Sequence, residues 1–182
     1  PEILMSPIKE MTFFGNRKKP NLKRFERQLA FQDVVKTFTG QDNTRRVDLL
    51  NRRLDVKGDI EEYKEFFKKL VTTEKAYGEI SPSYAFLDTG ELVEIHRQFP
   101  KGRIIFLMRD PVDRAWSQMR FSHTQDSPTK LREKARHRLT ETAYTKRSNY
   151  KLTIEKLLSV FPREQVHFEF FEQLTFCKLP VH

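Results

Sequence analysis

The sequence predicts an α/β fold in which a three-layer parallel sheet is flanked by helices. Residues 103–108, RIIFLM, are almost continuously apolar, which is typical of a strand with helices covering both faces. A helix start follows this strand directly. Helix and strand patterns also alternate along the chain, as expected when right-handed helical crossovers join parallel strands.

The segment after this central strand carries the signals of a helix N-terminus. Asp110 is the predicted N-cap, Pro111 suits the first helical position, and Asp113 is placed to return a hydrogen bond to the cap. Four apolar residues then recur at i, i+3, i+4 and i+7 and predict a core-facing stripe. They are Val112, Ala115, Trp116 and Met119.

The remaining elements of the predicted sheet follow the same alternation. Asp59 and Glu62 form a capping-box-like start for a helix whose apolar face should pack on the sheet. Residues 75–80 predict a short strand that ends in a turn at 81–84. A helix over residues 91–99 precedes the central strand, and residues 165–171, QVHFEFF, predict the last strand.

Composition indicates one globular domain over residues 1–182. The chain has 37% hydrophobic residues, including 16 Phe, which is enough to build a core. Its net charge of +9 favours an anionic partner: nucleic acid, an acidic polysaccharide, an anionic membrane or a nucleotide cosubstrate. Charge alone does not choose among these partners.

Several classes of site and segment are not expected. The single cysteine, Cys177, excludes an internal disulfide and any multi-cysteine metal site. His123, His137 and His167 lie in no metal-ligand spacing. No run of 18 apolar residues and no signal-peptide pattern is found. We therefore expect no metal and no transmembrane segment.

The string RDPVDRAWS places Arg109 at the carboxyl end of the central strand and Ser117 in the next helix. Open α/β sheets bind ligands at this edge, and an arginine there can fork onto phosphate oxygens. Alternatively, Arg109 pairs with Asp113 and Ser117 is a neutral helix residue. The string resembles the sulfotransferase family's site for the 3′-phosphate of 3′-phosphoadenosine 5′-phosphosulfate. By that resemblance, Arg109 and Ser117 bind the nucleotide.

A second motif lies near the start of the chain. Lys9 and Glu10, followed by Phe13 and Phe14, resemble the KE-x-x-FF element of carbohydrate sulfotransferases and their bacterial relatives. The resemblance implies that Glu10 is the general base for the acceptor and that Lys9 lies beside the transferring group. A carboxylate can take the acceptor's proton, and a cation neutralises developing charge. The alternative is a surface Lys-Glu pair anchored by two core phenylalanines.

Two further features have a less direct link to chemistry. The segment GEISPSY, residues 78–84, resembles a family segment after the second strand, which implies that Ser81 and Tyr84 lie near the cleft. We interpret Glu79 as a structural hydrogen-bond acceptor and not as the base. Two arginine pairs could line the groove of an acidic acceptor, Arg45-Arg46 and Arg52-Arg53, although exposed arginines on amphipathic helices are commoner without such a role.

The resemblance implies a P-loop-kinase-like sulfotransferase fold that transfers a sulfuryl group from 3′-phosphoadenosine 5′-phosphosulfate, without metal. The acceptor would be a hydroxyl or amine of a carbohydrate or small molecule, including an acidic saccharide. No nucleic acid partner is expected, and the expected location is the cytoplasm, or the Golgi lumen for a eukaryotic membrane-anchored parent. The alternative is a non-catalytic basic module that binds polyanions or nucleic acid.

One expected part of the family pattern is not recognised. No pair among the six glycines has the spacing of a loop that cradles the 5′-phosphosulfate. Residues 176–182 likewise show no nucleotide-binding loop. We therefore expect a sulfotransferase domain that is incomplete at both ends. A P-loop kinase relative is disfavoured, because the chain has no Walker sequence.

Overall fold

The computed structural model describes residues 2–15, 23, 26–32, 43–138 and 140–176. It divides into two compact units, Pro1–Tyr84 and Ala85–His182. We describe each unit by itself, and the single domain over residues 1–182 stays a prediction. Cys177 lies outside the described residues, as does most of the C-terminal segment 176–182 in which no nucleotide-binding loop is recognised.

Among its described residues, the first unit contains a short parallel sheet and several helical segments. Strand β1 is Ile3–Met5 and strand β2 is Ala76–Gly78. They pair in parallel, with Ile3 opposite Ala76 and Met5 opposite Gly78. Between them lie helices α1, Thr44–Asp55, and α2, Ile60–Lys68. Residues 26–32 are also helical, and a 3-10 helix, Pro82–Phe86, follows β2.

Aromatic rings form much of the core of the first unit. Phe67 is fully buried. Its ring stacks on Tyr77 with centroids 4.6 Å apart and meets Tyr63 edge-on at 5.2 Å. The ring of Phe13 in turn stacks on that of Tyr63, with centroids 4.4 Å apart. The predicted apolar face of α2 therefore packs as expected at Tyr63 and Phe67.

The start of α2 differs in one detail from the predicted capping box. Asp59 is the N-cap, and its side chain accepts from the backbone N–H of Glu61. The Glu62 carboxylate does not return to the cap, because it accepts from the backbone N–H of Lys57 at 2.9 Å. The helix start was therefore predicted correctly, whereas the partner of Glu62 was not.

The second unit contains the other two strands. Strand β3, Ile104–Met108, pairs in parallel with β4, Val166–Phe170, with Ile104 opposite Val166 and Met108 opposite Phe170. Within the described part of this unit, six helices accompany them, and a short 3-10 helix, Arg163–Gln165, precedes β4. The helices are α3 Thr89–Gln98, α4 Pro111–Ser122, α5 Pro128–Arg138, α6 Thr142–Ser148, α7 Tyr150–Val160 and α8 Phe171–Phe176. The predicted α/β class with parallel strands is confirmed.

The central strand is not covered on both faces, contrary to the prediction. Met108 is buried, but Ile105 is 73% exposed and Leu107 is 46% exposed. Successive side chains of a strand point to opposite faces. Among the described residues only one of these faces is packed, and the side chains of Ile105 and Leu107 lie on the other.

Helix α4 buries part of its predicted stripe. Ala115 and Met119 pack with residues of α5 and α6, and Trp116 lies against the same cluster. The other members of this cluster are Leu131, Ala135 and Tyr144. Val112 was expected in the stripe but is 72% exposed. It lies in the first turn of the helix, outside the buried cluster.

Among the described residues, no helix combines the length and the apolar character that crossing a membrane requires.

We expect Phe67→Ala to lower the free energy of unfolding by about 3–5 kcal/mol, because it removes a fully buried ring and leaves a cavity. Lys68→Ala is the control on the exposed side of the same helix and should change stability by less than about 0.5 kcal/mol. Urea denaturation measures both. Equal effects of the two substitutions would contradict the aromatic core described above.

Candidate functional site

The carboxyl end of β3 presents Arg109 in the second unit. Because Met108 lies opposite Phe170 in the parallel pair, the next residues, Arg109 and Phe171, are also neighbours. The guanidinium carbon lies 5.0 Å from the centroid of the Phe171 ring, a cation–π contact. Its Nη2 lies 3.7 Å from Oδ2 of Asp113. The alternative partner proposed for Arg109 is therefore present, at the long end of ion-pair distances.

Tyr150 fixes the backbone of Arg109. Its hydroxyl donates to the carbonyl oxygen of Arg109 at 2.7 Å and accepts from the Arg109 N–H at 3.4 Å. The Tyr150 ring meets Phe106 of β3 edge-on at 5.8 Å. One side chain at the start of α7 thus satisfies both backbone groups at the point where the strand ends.

Asp110 connects this strand end to α4 and to the residue after β4. Its Oδ1 accepts from the N–H groups of Val112 and Asp113, both at 2.9 Å, so the predicted N-cap is confirmed. The predicted return bond from Asp113 is wrong. The backbone N–H of Asp110 instead donates to Oε1 of Glu172 at 3.0 Å, and the Asp113 carboxylate lies beside Arg109.

The sequence did not assign these supporting roles to Tyr150 and Glu172. Glu172 follows the last strand just as Asp110 follows the central one, and the parallel register places these two positions side by side. The signal available in the sequence for Glu172 was its position after the last strand, which corresponds to the position of Asp110 after the central strand. Nothing local to Tyr150 indicates that its hydroxyl reaches Arg109, 41 positions earlier.

About a third of the Arg109 side chain is exposed, so a ligand at this edge can reach part of its guanidinium. The Nε itself is buried and has no hydrogen-bond partner in the part of the chain that the structure describes. Burying a donor without a partner is costly, so this strand end holds the guanidinium in place at an energetic cost. Ser117 lies one helical turn beyond Asp113 on the same face of α4. Both predicted nucleotide-binding residues therefore belong to one strand-turn-helix unit.

The other predicted pair, Lys9 and Glu10, lies after β1 in the first unit. Lys9 is exposed, Glu10 is half-buried, and Phe13 and Phe14 are buried. This agrees with the motif and also with a surface pair anchored by core rings. The backbone of this segment is unusual in one respect, because Glu10 has φ 55° and Thr12 has φ 50°. Non-glycine residues adopt this left-handed region at a cost of about 1–2 kcal/mol.

An open cavity lies at the carboxyl ends of β1 and β2. Its volume is about 190 Å³, and four of its six lining residues are apolar. The lining residues are Met5, Ser6, Pro7, Ile8, Lys9 and Ile80. Lys9 thus lines an open, mainly apolar cavity.

Glu79, the residue directly after β2, is the centre of a cluster of polar side chains. Its carboxylate accepts from the hydroxyl of Tyr84 and, at 3.5 Å, from that of Ser81. Tyr63 also hydrogen-bonds to it. Desolvation raises the pKa of Glu79, although these hydrogen bonds and the charge of Arg53 act in the opposite direction. The interpretation of Glu79 as a hydrogen-bond acceptor matches this geometry.

Arg53 does not line a surface groove, contrary to the possibility raised from the sequence. It is 3% exposed. Its Nη2 donates to the carbonyl oxygen of Met11 at 2.8 Å, and its Nη1 donates to that of Val56 at 3.0 Å. Desolvation lowers its pKa, while the charge of Glu79 raises it. A helical pattern in the sequence does not distinguish such a buried arginine from an exposed neighbour.

Within the described residues, no three His, Cys, Asp or Glu side chains are grouped closely enough to hold a metal ion.

We expect the contribution of Glu79 to stability to fall as the pH rises. Its pKa is raised above the ordinary 4.5, so the folded protein binds the proton more tightly than the unfolded chain. That stabilisation is complete below the unfolded pKa and is lost as the pH passes the folded one. Urea denaturation of wild type and Glu79→Gln between about pH 4 and 8 should show a difference that shrinks with pH. A difference that grows would contradict the desolvation argument.

Comparisons with known proteins bear on the family and the fold of the chain. A model of the sulfotransferase family matches residues 11–177, which includes Arg109 and Ser117 and begins one residue after Glu10. The structure is similar to the crystal structure of a sulfotransferase from Alicyclobacillus acidocaldarius, with 27% sequence identity and a TM-score of 0.62. That similarity covers 96% of this chain and 65% of the other, so the chain spans about two thirds of its length. No curated protein matches the sequence. Since the family model extends over most of the sequence, the chain belongs to the sulfotransferase family.

Proposed function

We propose that the protein transfers a sulfuryl group from 3′-phosphoadenosine 5′-phosphosulfate to a hydroxyl or amine acceptor. The observation that carries the proposal is the Arg109 guanidinium, held at the carboxyl end of β3 by a side chain that is 33% exposed and lies 3.7 Å from the Asp113 carboxylate, at the long end of ion-pair distances. An anionic ligand fits such a donor. Membership of the sulfotransferase family supports a phosphate of this nucleotide as that ligand.

In this proposal Arg109 and Ser117 bind the 3′-phosphate. The guanidinium supplies charge-assisted hydrogen bonds, and the serine hydroxyl donates a further one. Tyr150 holds the backbone of Arg109 and Phe171 lies under its guanidinium before any ligand arrives. A side chain that is already oriented loses less conformational entropy on binding, which favours affinity.

The chemical step is an in-line displacement at sulfur. The acceptor oxygen or nitrogen forms a bond to sulfur while the bond from sulfur to the bridging phosphate oxygen breaks, which releases adenosine 3′,5′-bisphosphate. We assign the acceptor's proton to the Glu10 carboxylate, acting as general base. Lys9, which faces the open cavity beside Glu10, would neutralise charge on the sulfonate.

The three-layer architecture of the sheet is part of the same proposal. A three-layer sheet of P-loop-kinase type is supported by two parallel strand pairs and by the likeness to a solved sulfotransferase. The acceptor is proposed as a carbohydrate or small molecule, and the net charge of +9 favours an acidic saccharide among carbohydrates.

The net charge of +9 also favours a second candidate, a non-catalytic basic module for polyanions or nucleic acid. Binding that rests on counterion release weakens steeply with salt and shows no preference for the nucleotide. Measuring affinity for nucleotide and for polyanions at two salt concentrations separates the two functions.

We expect Arg109→Ala to weaken binding of adenosine 3′,5′-bisphosphate to the full-length protein by about 2 kcal/mol, because it removes a charge-assisted contact. Arg103→Ala is the matched control. It removes an exposed arginine just before the amino end of the same strand, opposite to the proposed site. Calorimetry measures both. An unchanged affinity in folded Arg109→Ala would remove the main support for the nucleotide site.

We expect Glu10→Gln to lower kcat by about a hundredfold to ten-thousandfold with an unchanged nucleotide dissociation constant. The amide keeps the shape of the side chain but cannot accept the proton. A radiolabelled-donor assay with parallel calorimetry tests this. Glu79→Gln is the comparison variant, and if it lost turnover while Glu10→Gln retained it across the pH range, Glu79 would replace Glu10 as the base.

A further inference from the structure

The turn that carries the proposed base has a backbone conformation that its own sequence does not favour. We call residues 9–14 the KE turn. Within it, Glu10 and Thr12 both have positive φ, at 55° and 50°. Glycine adopts this region freely, whereas a β-branched residue such as Thr12 does so only when the surroundings impose it. Something outside the turn must therefore hold it.

Three side chains from distant positions supply that restraint. Arg53 Nη2 donates to the carbonyl oxygen of Met11 at 2.8 Å. The backbone N–H of Thr12 donates to Ser81 Oγ at 3.1 Å, and that of Phe14 donates to the Tyr84 hydroxyl at 3.3 Å. These partners lie 42, 69 and 70 positions along the chain. Three backbone groups directly after Glu10 are thus bound by side chains.

Glu79 determines how the two hydroxyls are used. A hydroxyl has one proton to donate, and those of Ser81 and Tyr84 are both directed to the Glu79 carboxylate. Their oxygen lone pairs are therefore left to accept from the two backbone N–H groups of the KE turn. The Glu79 carboxylate thus sets the orientation of two hydrogen bonds to the turn.

The segment before Glu10 is also restrained. The Ser6 hydroxyl donates to the carbonyl oxygen of Ile8 at 2.9 Å and accepts from its N–H at 3.2 Å. Glu10 therefore lies between a local turn on one side and three long-range anchors on the other. Its backbone is fixed from both directions.

We propose that Arg53, Glu79, Ser81 and Tyr84, which we call the turn clamp, are positioning residues that hold Glu10 in the geometry required of the base. This inference rests on the proposed function, in which Glu10 takes the acceptor's proton. The structural cost of the clamp is consistent with such a role. Enclosing a guanidinium and a carboxylate is unfavourable unless both are hydrogen-bonded, and apolar residues would build a core without that cost.

The first test measures the clamp without using activity. In the full-length protein, amide hydrogen exchange should be about five- to tenfold faster at Phe14 in Tyr84→Phe and at Thr12 in Ser81→Ala, since each loses one hydrogen bond. Tyr77→Phe is the matched control. It removes a tyrosine hydroxyl from the same unit, leaves the stack on Phe67, and should leave both amides unchanged.

The second test asks whether the clamp acts through Glu10. Tyr84→Phe should lower kcat by about ten- to a hundredfold, the cost of a small displacement of a catalytic group, with an unchanged nucleotide dissociation constant. In the Glu10→Gln background the same change should lower kcat by less than about threefold, because there is no longer a base to position. Tyr77→Phe should leave kcat unchanged in both backgrounds.

The outcomes distinguish a positioning role of the turn clamp from a purely structural one. Faster exchange together with a kcat loss that disappears in Glu10→Gln supports the clamp as a positioning device. Unchanged exchange at Thr12 and Phe14 overturns the clamp itself. A kcat loss of equal size in both backgrounds overturns its action through Glu10. Wild-type kcat in Glu10→Gln overturns the proposed base, and faster exchange in that case shows that the clamp restrains the turn for structural reasons alone.

Discussion

The parallel pairing of β3 with β4 is the constraint on which the candidate nucleotide site depends. Its register brings Arg109 beside Phe171 and Asp110 beside Glu172, immediately beyond the last paired residues. A slip by one residue would reverse the face of every side chain on one strand. It would also separate these contacts, so the orientation of the guanidinium follows from hydrogen bonds along the two strands.

The two candidate sites lie in different units, but the same kind of hydrogen bond restrains the backbone in both. In each, a tyrosine hydroxyl from a distant part of the chain binds backbone groups of the residue or turn that carries the chemistry. Tyr150 binds both backbone groups of Arg109, and Tyr84 binds the N–H of Phe14. A hydroxyl suits this role because it donates one bond and accepts others. In both, the tyrosine binds the backbone and not the side chain that is proposed to act on a ligand.

Family membership and geometry support different parts of the functional argument. The family match covers Arg109 and Ser117, and the partly exposed guanidinium of Arg109 at the strand end gives a physical reason to propose an anion there. Glu10 lies just outside the matched range, so its role rests on the KE-x-x-FF pattern and on the restrained turn. The proposed transfer would require both functions, since binding the donor positions sulfur and a base activates the acceptor.

The sequence by itself determined the α/β class, the N-cap at Asp110 and the two motifs, because apolar runs, caps and short spacings are properties of neighbouring residues. Only the tertiary structure decided that Arg53 is buried against the KE turn, that Val112 is exposed, and that Glu172 replaces Asp113 as the partner of the Asp110 N–H. These outcomes depend on which distant segments pack together. Local patterns do not encode that choice, because the same arginine, valine or carboxylate satisfies a helix equally well on either face.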